Sequence, residues 1–81
     1  MKIKLKFFAA HREIVGAKQL ELEVGEGTTS EEVFNQLVEE YPTLERMKGY
    51  TFISVNHIYA KDPKVLNDGD EVAFFPPVAG G

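Results

Sequence analysis

The chain has 81 residues, 43% of them hydrophobic and 27% charged, which fits one small globular domain expected over residues 1–81. It contains no cysteine, which excludes disulfides, thiolate metal sites and a thiol nucleophile. The formal net charge of −4 argues against nucleic acid as a partner; with neither a signal peptide nor a run of about 20 apolar residues, no membrane partner and a cytoplasmic setting are expected.

Lys2 to Ala9 alternates with period two. Ile3, Leu5 and Phe7 point one way, and Lys2, Lys4, Lys6 and Phe8 the other. A half-buried strand follows, whose wet face ends on a large aromatic side chain. Ala10 to Gly16 forms a short connection with room for one helical turn, and Gly16 suits its end. Lys18 to Val24 alternates again, with Leu20, Leu22 and Val24 opposite Gln19, Glu21 and Glu23. If this strand pairs antiparallel with the first, lysines and glutamates share a face, each pair contributing about 0.2–1 kcal/mol. A solvated sheet face is a sufficient account of these charges.

The main helix follows Gly25 and Gly27. Thr29 is a good N-cap, Glu32 has the capping-box spacing, and Glu31 and Glu32 suit the positive end of the helix dipole. Val33, Phe34, Leu37, Val38 and Tyr41 make one apolar stripe, and Pro42 stops the helix. Residues 43–50 form an irregular or weakly helical link. Thr51 to Asn56 is a strand rich in β-branched and aromatic residues, which "HIYA" continues or returns after a turn at Asn56–His57. "NDGD", Asn67 to Asp70, is a turn. Glu71 to Phe75 is the last strand, with Val72 and Phe74 on one face and Ala73 and Phe75 on the other.

This order predicts a two-layer α+β fold: a mixed four- to five-stranded sheet covered on one face by one main helix. The expected arrangement is the ubiquitin-like β-grasp, with the two N-terminal strands as a hairpin and the last strand beside the first in mid-sheet. Period and spacing agree with this plan without singling it out.

Residues 76–81, "PPVAGG", are expected to protrude as a tail. Pro76 and Pro77 have no N–H for a sheet and favour extended backbone. The six residues reach on the order of 20 Å. Gly80 and Gly81 have no Cβ, so their backbone fits a narrow channel with the terminal carboxyl leading. That carboxyl is a poor electrophile until coupled to AMP, whereupon the glycine beside it offers little steric resistance to attack. The tail therefore suits a substrate that a second enzyme activates and a third empties; a frayed terminus is the alternative.

"LNDGDEVAFFPPVAGG", Leu66 to Gly81, closely resembles the C-terminus of the molybdopterin synthase small-subunit family, the sulfur carriers of molybdenum cofactor biosynthesis. "KLKFFAAHREIVGA" and Val55–Asn56 are also similar to that family, so the likeness spans the whole chain. The resemblance implies that a ubiquitin-activating-like adenylyltransferase uses ATP to adenylate Gly81, and that a persulfide donor converts the adenylate to a thiocarboxylate. It implies that the carrier binds no permanent cofactor and has no catalytic apparatus of its own. Its tail enters the large catalytic subunit, within a heterotetramer, and delivers sulfur to cyclic pyranopterin monophosphate to form the dithiolene.

On this reading Gly81 carries the sulfur and Gly80 gives slender access, while Pro76, Pro77, Val78 and Ala79 form the shank. Phe75 and Phe8, on the wet faces of neighbouring strands, form an apolar docking patch, with Tyr59 a third member by family position. For each ring the alternative is core packing. His11 and His57 lack partners at metal-ligand spacing, so no metal site is expected and surface or structural roles are favoured. The competing functions are a sulfur carrier for thiazole synthesis or tRNA thiolation, a ubiquitin-like modifier joined through Gly81 to lysines, and an interaction domain with an inert tail.

Overall fold

Period-two alternation at the N-terminus produces strand β1 (Lys2–Phe7), in which Ile3, Leu5 and Phe7 are buried while Lys2 and Lys4 face solvent. A computed structural model describes residues 1–77. After β1 come α1 (Ala9–Val15), β2 (Gln19–Glu23), α2 (Ser30–Glu40), a 3-10 segment (Pro42–Tyr50), β3 (Phe52–Val55), β4 (Ile58–Tyr59) and β5 (Glu71–Phe75). The strands form one five-stranded sheet in the order β2-β1-β5-β3-β4. β5 pairs in parallel with β1 and antiparallel with β3, so the last strand lies beside the first in mid-sheet as expected. With α2 packed on one face, this is the β-grasp plan.

The core lies between the sheet and α2. Phe74, fully buried, stacks on Phe7 at 5.6 Å between ring centroids and meets Phe34 of α2 at 5.8 Å. Val33 and Leu37 complete the buried helix face, and Val38 and Tyr41 pack at its margin. The Thr29–Glu32 capping box forms in both directions: Thr29 N–H donates to Glu32 Oε1 at 2.9 Å, and Glu32 N–H to Thr29 Oγ1 at 3.2 Å. Ser30 N–H donates to the Lys64 carbonyl at 2.8 Å, and Lys64 N–H to Ser30 Oγ at 3.0 Å. These bonds hold the segment before β5 against the helix start and deliver Leu66 into the core.

One connection differs from expectation, and another takes the weakly helical form expected of it. β1 and β2 pair antiparallel, but α1 joins them, so they do not form a tight hairpin. The helix lacks a side-chain N-cap and opens on Ala9 at φ 50°, leaving little local signal; burial of His11 and Val15 stabilises it instead. Gly16 ends it as expected, at φ 83°, with its N–H donating to the Arg12 carbonyl at 2.8 Å. The link after α2 is a 3-10 segment anchored by Leu44, which is 1% exposed.

His11 has a structural place. Its side chain is fully buried, with Nε2 2.7 Å from Thr51 Oγ1. The Thr51 hydroxyl donates to the Met47 carbonyl at 2.6 Å, so it accepts from His11 Nε2–H. Burial pushes the imidazole pKa below its ordinary 6.5, against an opposing effect of the Phe8 carbonyl.

Thr29→Ala is expected to cost about 1 kcal/mol in urea unfolding, because it removes the cap to Glu32; an unchanged midpoint would show that the box contributes nothing. His11 gives stability a pH dependence of definite sign. Below pH 6.5 the unfolded chain binds a proton that the folded imidazole resists, so stability present above that pH falls towards the lowered folded pKa. Between about pH 8 and pH 5, wild type is therefore expected to lose more stability than His11→Gln; parallel profiles would exclude His11 as the source.

Candidate functional site: an aromatic row at the end of the sheet

β5 determines what its neighbours present on the face opposite α2. Phe7 pairs with Phe74, and the Phe8 N–H donates to the Phe74 carbonyl at 3.2 Å, so Phe8 follows beside Phe75. On the other side Phe75 pairs with Phe52, and Ser54 with Tyr59. Phe8, Phe75, Phe52 and Tyr59 thus cross four adjacent strands on one face. The Phe52 ring lies 6.0 Å from that of Phe75 and 5.6 Å from that of Tyr59, the latter edge-on at 83°. Phe8 is 47% exposed, Tyr59 54% and Phe52 37%, with Phe75 half-buried between them. Aromatic rings gathered in solvent at this density characterise protein-binding surfaces.

The three rings named from sequence are therefore brought together, and the side of the sheet that Tyr59 occupies is decided. Phe52 was missed. Its signal was present: in Phe52–Val55, alternation puts Phe52 and Ser54 opposite the buried Val55, and pairing with β5 puts Phe52 against Phe75.

Beside the row lies a groove of about 370 Å³. Its floor is Ala73 and Ser54, small residues that are register partners. Phe8 and Phe75 border one part of it, and charged groups another. Glu71 lies 3.5 Å from Lys6 Nζ through Oε1 and 3.4 Å from His57 Nε2 through Oε2, the second contact becoming an ion pair when the imidazole is protonated. His57 is carried there by a two-residue hairpin turn in which Asn56 and His57 have φ of 51° and 69°.

Asn56 also anchors the start of β5. Its Oδ1 accepts from the Glu71 N–H at 3.0 Å, and its Nδ2 donates to Asp70 Oδ1 at 2.9 Å. Gly69, at φ 86°, donates its N–H to the Lys2 carbonyl at 2.8 Å. These bonds place the start of the strand, the Phe8–Phe74 bond holds its far end, and the chain leaves it through half-buried Pro76 and exposed Pro77, directly after the aromatic row. Val78, Ala79, Gly80 and Gly81 lie outside the described residues. Among the described residues no cluster of three or more His, Asp or Glu is disposed to hold a metal, and no helix is long and apolar enough to cross a membrane.

Comparison with known proteins agrees with this geometry. Residues 5–81 match the ThiS family. The chain is 35% identical to the molybdopterin synthase sulfur carrier subunit of Chlamydomonas reinhardtii, with 100% of both chains covered. It is 39% identical to the protein of the same description from Mycobacterium tuberculosis, covering 100% of this chain and 99% of the relative. The crystal structure of SAMP1 from Haloferax volcanii superposes with a TM-score of 0.84 over 100% of both chains at 28% identity. The family match and full-length identities establish that this ubiquitin-like β-grasp chain belongs to the ThiS family, as a relative of the molybdopterin synthase sulfur carrier subunits.

Proposed function

We propose that the protein is the sulfur carrier subunit of a molybdopterin synthase, working in the cytoplasm as one domain whose residues 76–81 form its working tail. The observation that carries this reading is the exposed row Phe8, Phe75, Phe52 and Tyr59 beside the Pro76–Pro77 exit. A partner that covers the row is placed to receive whatever follows Pro77. The full-length relatives named as sulfur carrier subunits support the same assignment.

In this scheme the Gly81 carboxylate attacks ATP bound to an adenylyltransferase of the ubiquitin-activating kind, releasing pyrophosphate and leaving an acyl adenylate. The terminal sulfur of a persulfide donor displaces AMP to give an acyl disulfide. A second thiol of the donor then attacks the S–S bond, is oxidised to a disulfide with the first, and leaves the sulfur on the terminal carbonyl carbon as a thiocarboxylate. Gly80 lets the backbone enter a narrow channel, and Pro76, Pro77, Val78 and Ala79 form the shank that spans it. In the large subunit the thiocarboxylate sulfur bonds to cyclic pyranopterin monophosphate, water cleaves the thioester so formed and returns Gly81 to its carboxylate, and a second loaded carrier supplies the other dithiolene sulfur. The assembly is a heterotetramer with a carrier at each end of a large-subunit dimer. The carrier contributes binding surface and cargo, holds no permanent cofactor, and leaves catalysis to its partners. A cysteine-free chain suits such a role, because the cargo needs no side-chain thiol.

The likeness to SAMP1, small archaeal modifier protein 1, favours a second reading, a protein modifier joined through Gly81 to lysines. Mass spectrometry separates the two. After incubation with ATP, an adenylating enzyme and a sulfur donor, the intact chain is expected to gain the mass of oxygen replaced by sulfur. Isopeptide adducts on other proteins, without that gain, would make it a modifier. Deleting Gly81, or adding one residue after it, is expected to abolish sulfur delivery with an unchanged melting curve; delivery at the wild-type rate would reject the tail mechanism.

The docking role of the row has its own test. Phe75→Asp and Phe52→Asp are each expected to weaken binding to the large subunit at least ~10-fold, the effect of removing an interface anchor. Titration calorimetry showing wild-type affinity for both variants would remove the row from the interface.

A further inference from the structure

A second cleft, of about 350 Å³, lies on the β2 side of Phe8 and shares Lys6 and Phe8 with the groove. Three cations line it: Lys6 from β1, Arg12 from the last turn of α1, and Lys18 just before β2. The strand register explains why positive charge accumulates there. Lys2 faces Glu23 and Lys4 faces Glu21, but Lys6 faces the neutral Gln19. The carboxylate near Lys6 is Glu71, 3.5 Å away and on the opposite side, in β5. Arg12 and Lys18 are exposed, and among the described residues neither forms an ion pair.

The backbone around these side chains is held. Phe7 N–H donates to the Lys18 carbonyl at 2.9 Å, and Gly16 N–H to the Arg12 carbonyl at 2.8 Å. A chain of net charge −4 thus presents a local basic cleft, on a fixed frame, continuous with its aromatic row. We propose that this cleft receives an acidic segment of the same protein partner that covers the row, which on the functional reading above is the synthase large subunit. The net negative charge disfavours a polyanionic nucleic acid, whereas a partner offering a few carboxylates beside an apolar surface matches both halves of the site. Arg12 and Lys18 then act at the rim of the interface, steering association and selecting an acidic partner surface over a basic one.

The test is binding of the large subunit to the full chain by biolayer interferometry, with Arg12→Glu/Lys18→Glu, Arg12→Ala/Lys18→Ala and Phe75→Asp alongside wild type. The charge reversal is expected to weaken binding ~10-fold or more at about 50 mM NaCl and less than ~3-fold at about 500 mM, where screening removes the attraction. The alanine pair should fall between, with all melting curves unchanged. Wild-type affinity in both cleft variants, or a loss that persists undiminished at high salt, would overturn the assignment while Phe75-dependent binding left the functional reading standing. A wild-type chain that does not bind the large subunit would overturn both. Salt-sensitive self-association in sedimentation, or binding of an RNA oligonucleotide, lost in either case with the charge reversal, would give the cleft to a second copy or to nucleic acid and overturn it equally.

Discussion

The structure depends on the hydrogen bonding of β5 along both of its edges. A strand between a parallel and an antiparallel neighbour has no free edge, so its residues are placed from both sides. Val72 and Phe74 are driven fully into the core, and Phe74 joins Phe7 across the sheet to Phe34 on the helix. On the other face, the same register brings Phe8 and Phe52 to either side of Phe75. One strand thus organises the hydrophobic core and the exposed row, and then hands the chain to two prolines that cannot extend the ladder.

The face opposite α2 is divided along its strands. At one end lysines and glutamates face one another across β1 and β2, where water screens them and their contribution is small. At the other end rings replace charges, and desolvation by a partner would release apolar surface at about 25 cal/mol per Å². The small side chains of Ala73 and Ser54 leave the groove open between these zones, and Lys6, Glu71 and His57 give it a polar margin.

Polar contacts from distant segments hold this face in place. His11 sits three residues after Phe8, and its hydrogen-bond partner Thr51 immediately precedes Phe52. The part-buried chain from His11 through Thr51 to the Met47 carbonyl therefore ties together the segments that carry Phe8 and Phe52. In low dielectric such a chain is stronger than its exposed equivalent, and costly to break. Ser30 and Lys64 make the corresponding tie between the helix start and the segment leading to β5.

Much of this was legible in the residues themselves. Period two placed Ile3, Leu5 and Phe7 inside and left Phe8 outside; the Thr29–Glu32 spacing marked the helix start, and Gly16 the end of α1, because each signal acts within one turn of its own backbone. Alternation also put Phe75 on the wet face with Phe8, and the resemblance carried by "FFPPVAGG" pointed to the family and, by family position, to Tyr59. Tertiary structure alone decided the rest. It made a helix of residues 9–15, which is too short and uncapped to stand alone and which burial of His11 and Val15 stabilises. It placed Phe52 against Phe75 and Tyr59, left Lys6 opposite Gln19, and grouped Arg12 and Lys18 with it. A strand's alternation determines which side chains share a face, but neighbours across the sheet are chosen by hydrogen bonding between segments up to some seventy residues apart, and no local pattern encodes that choice.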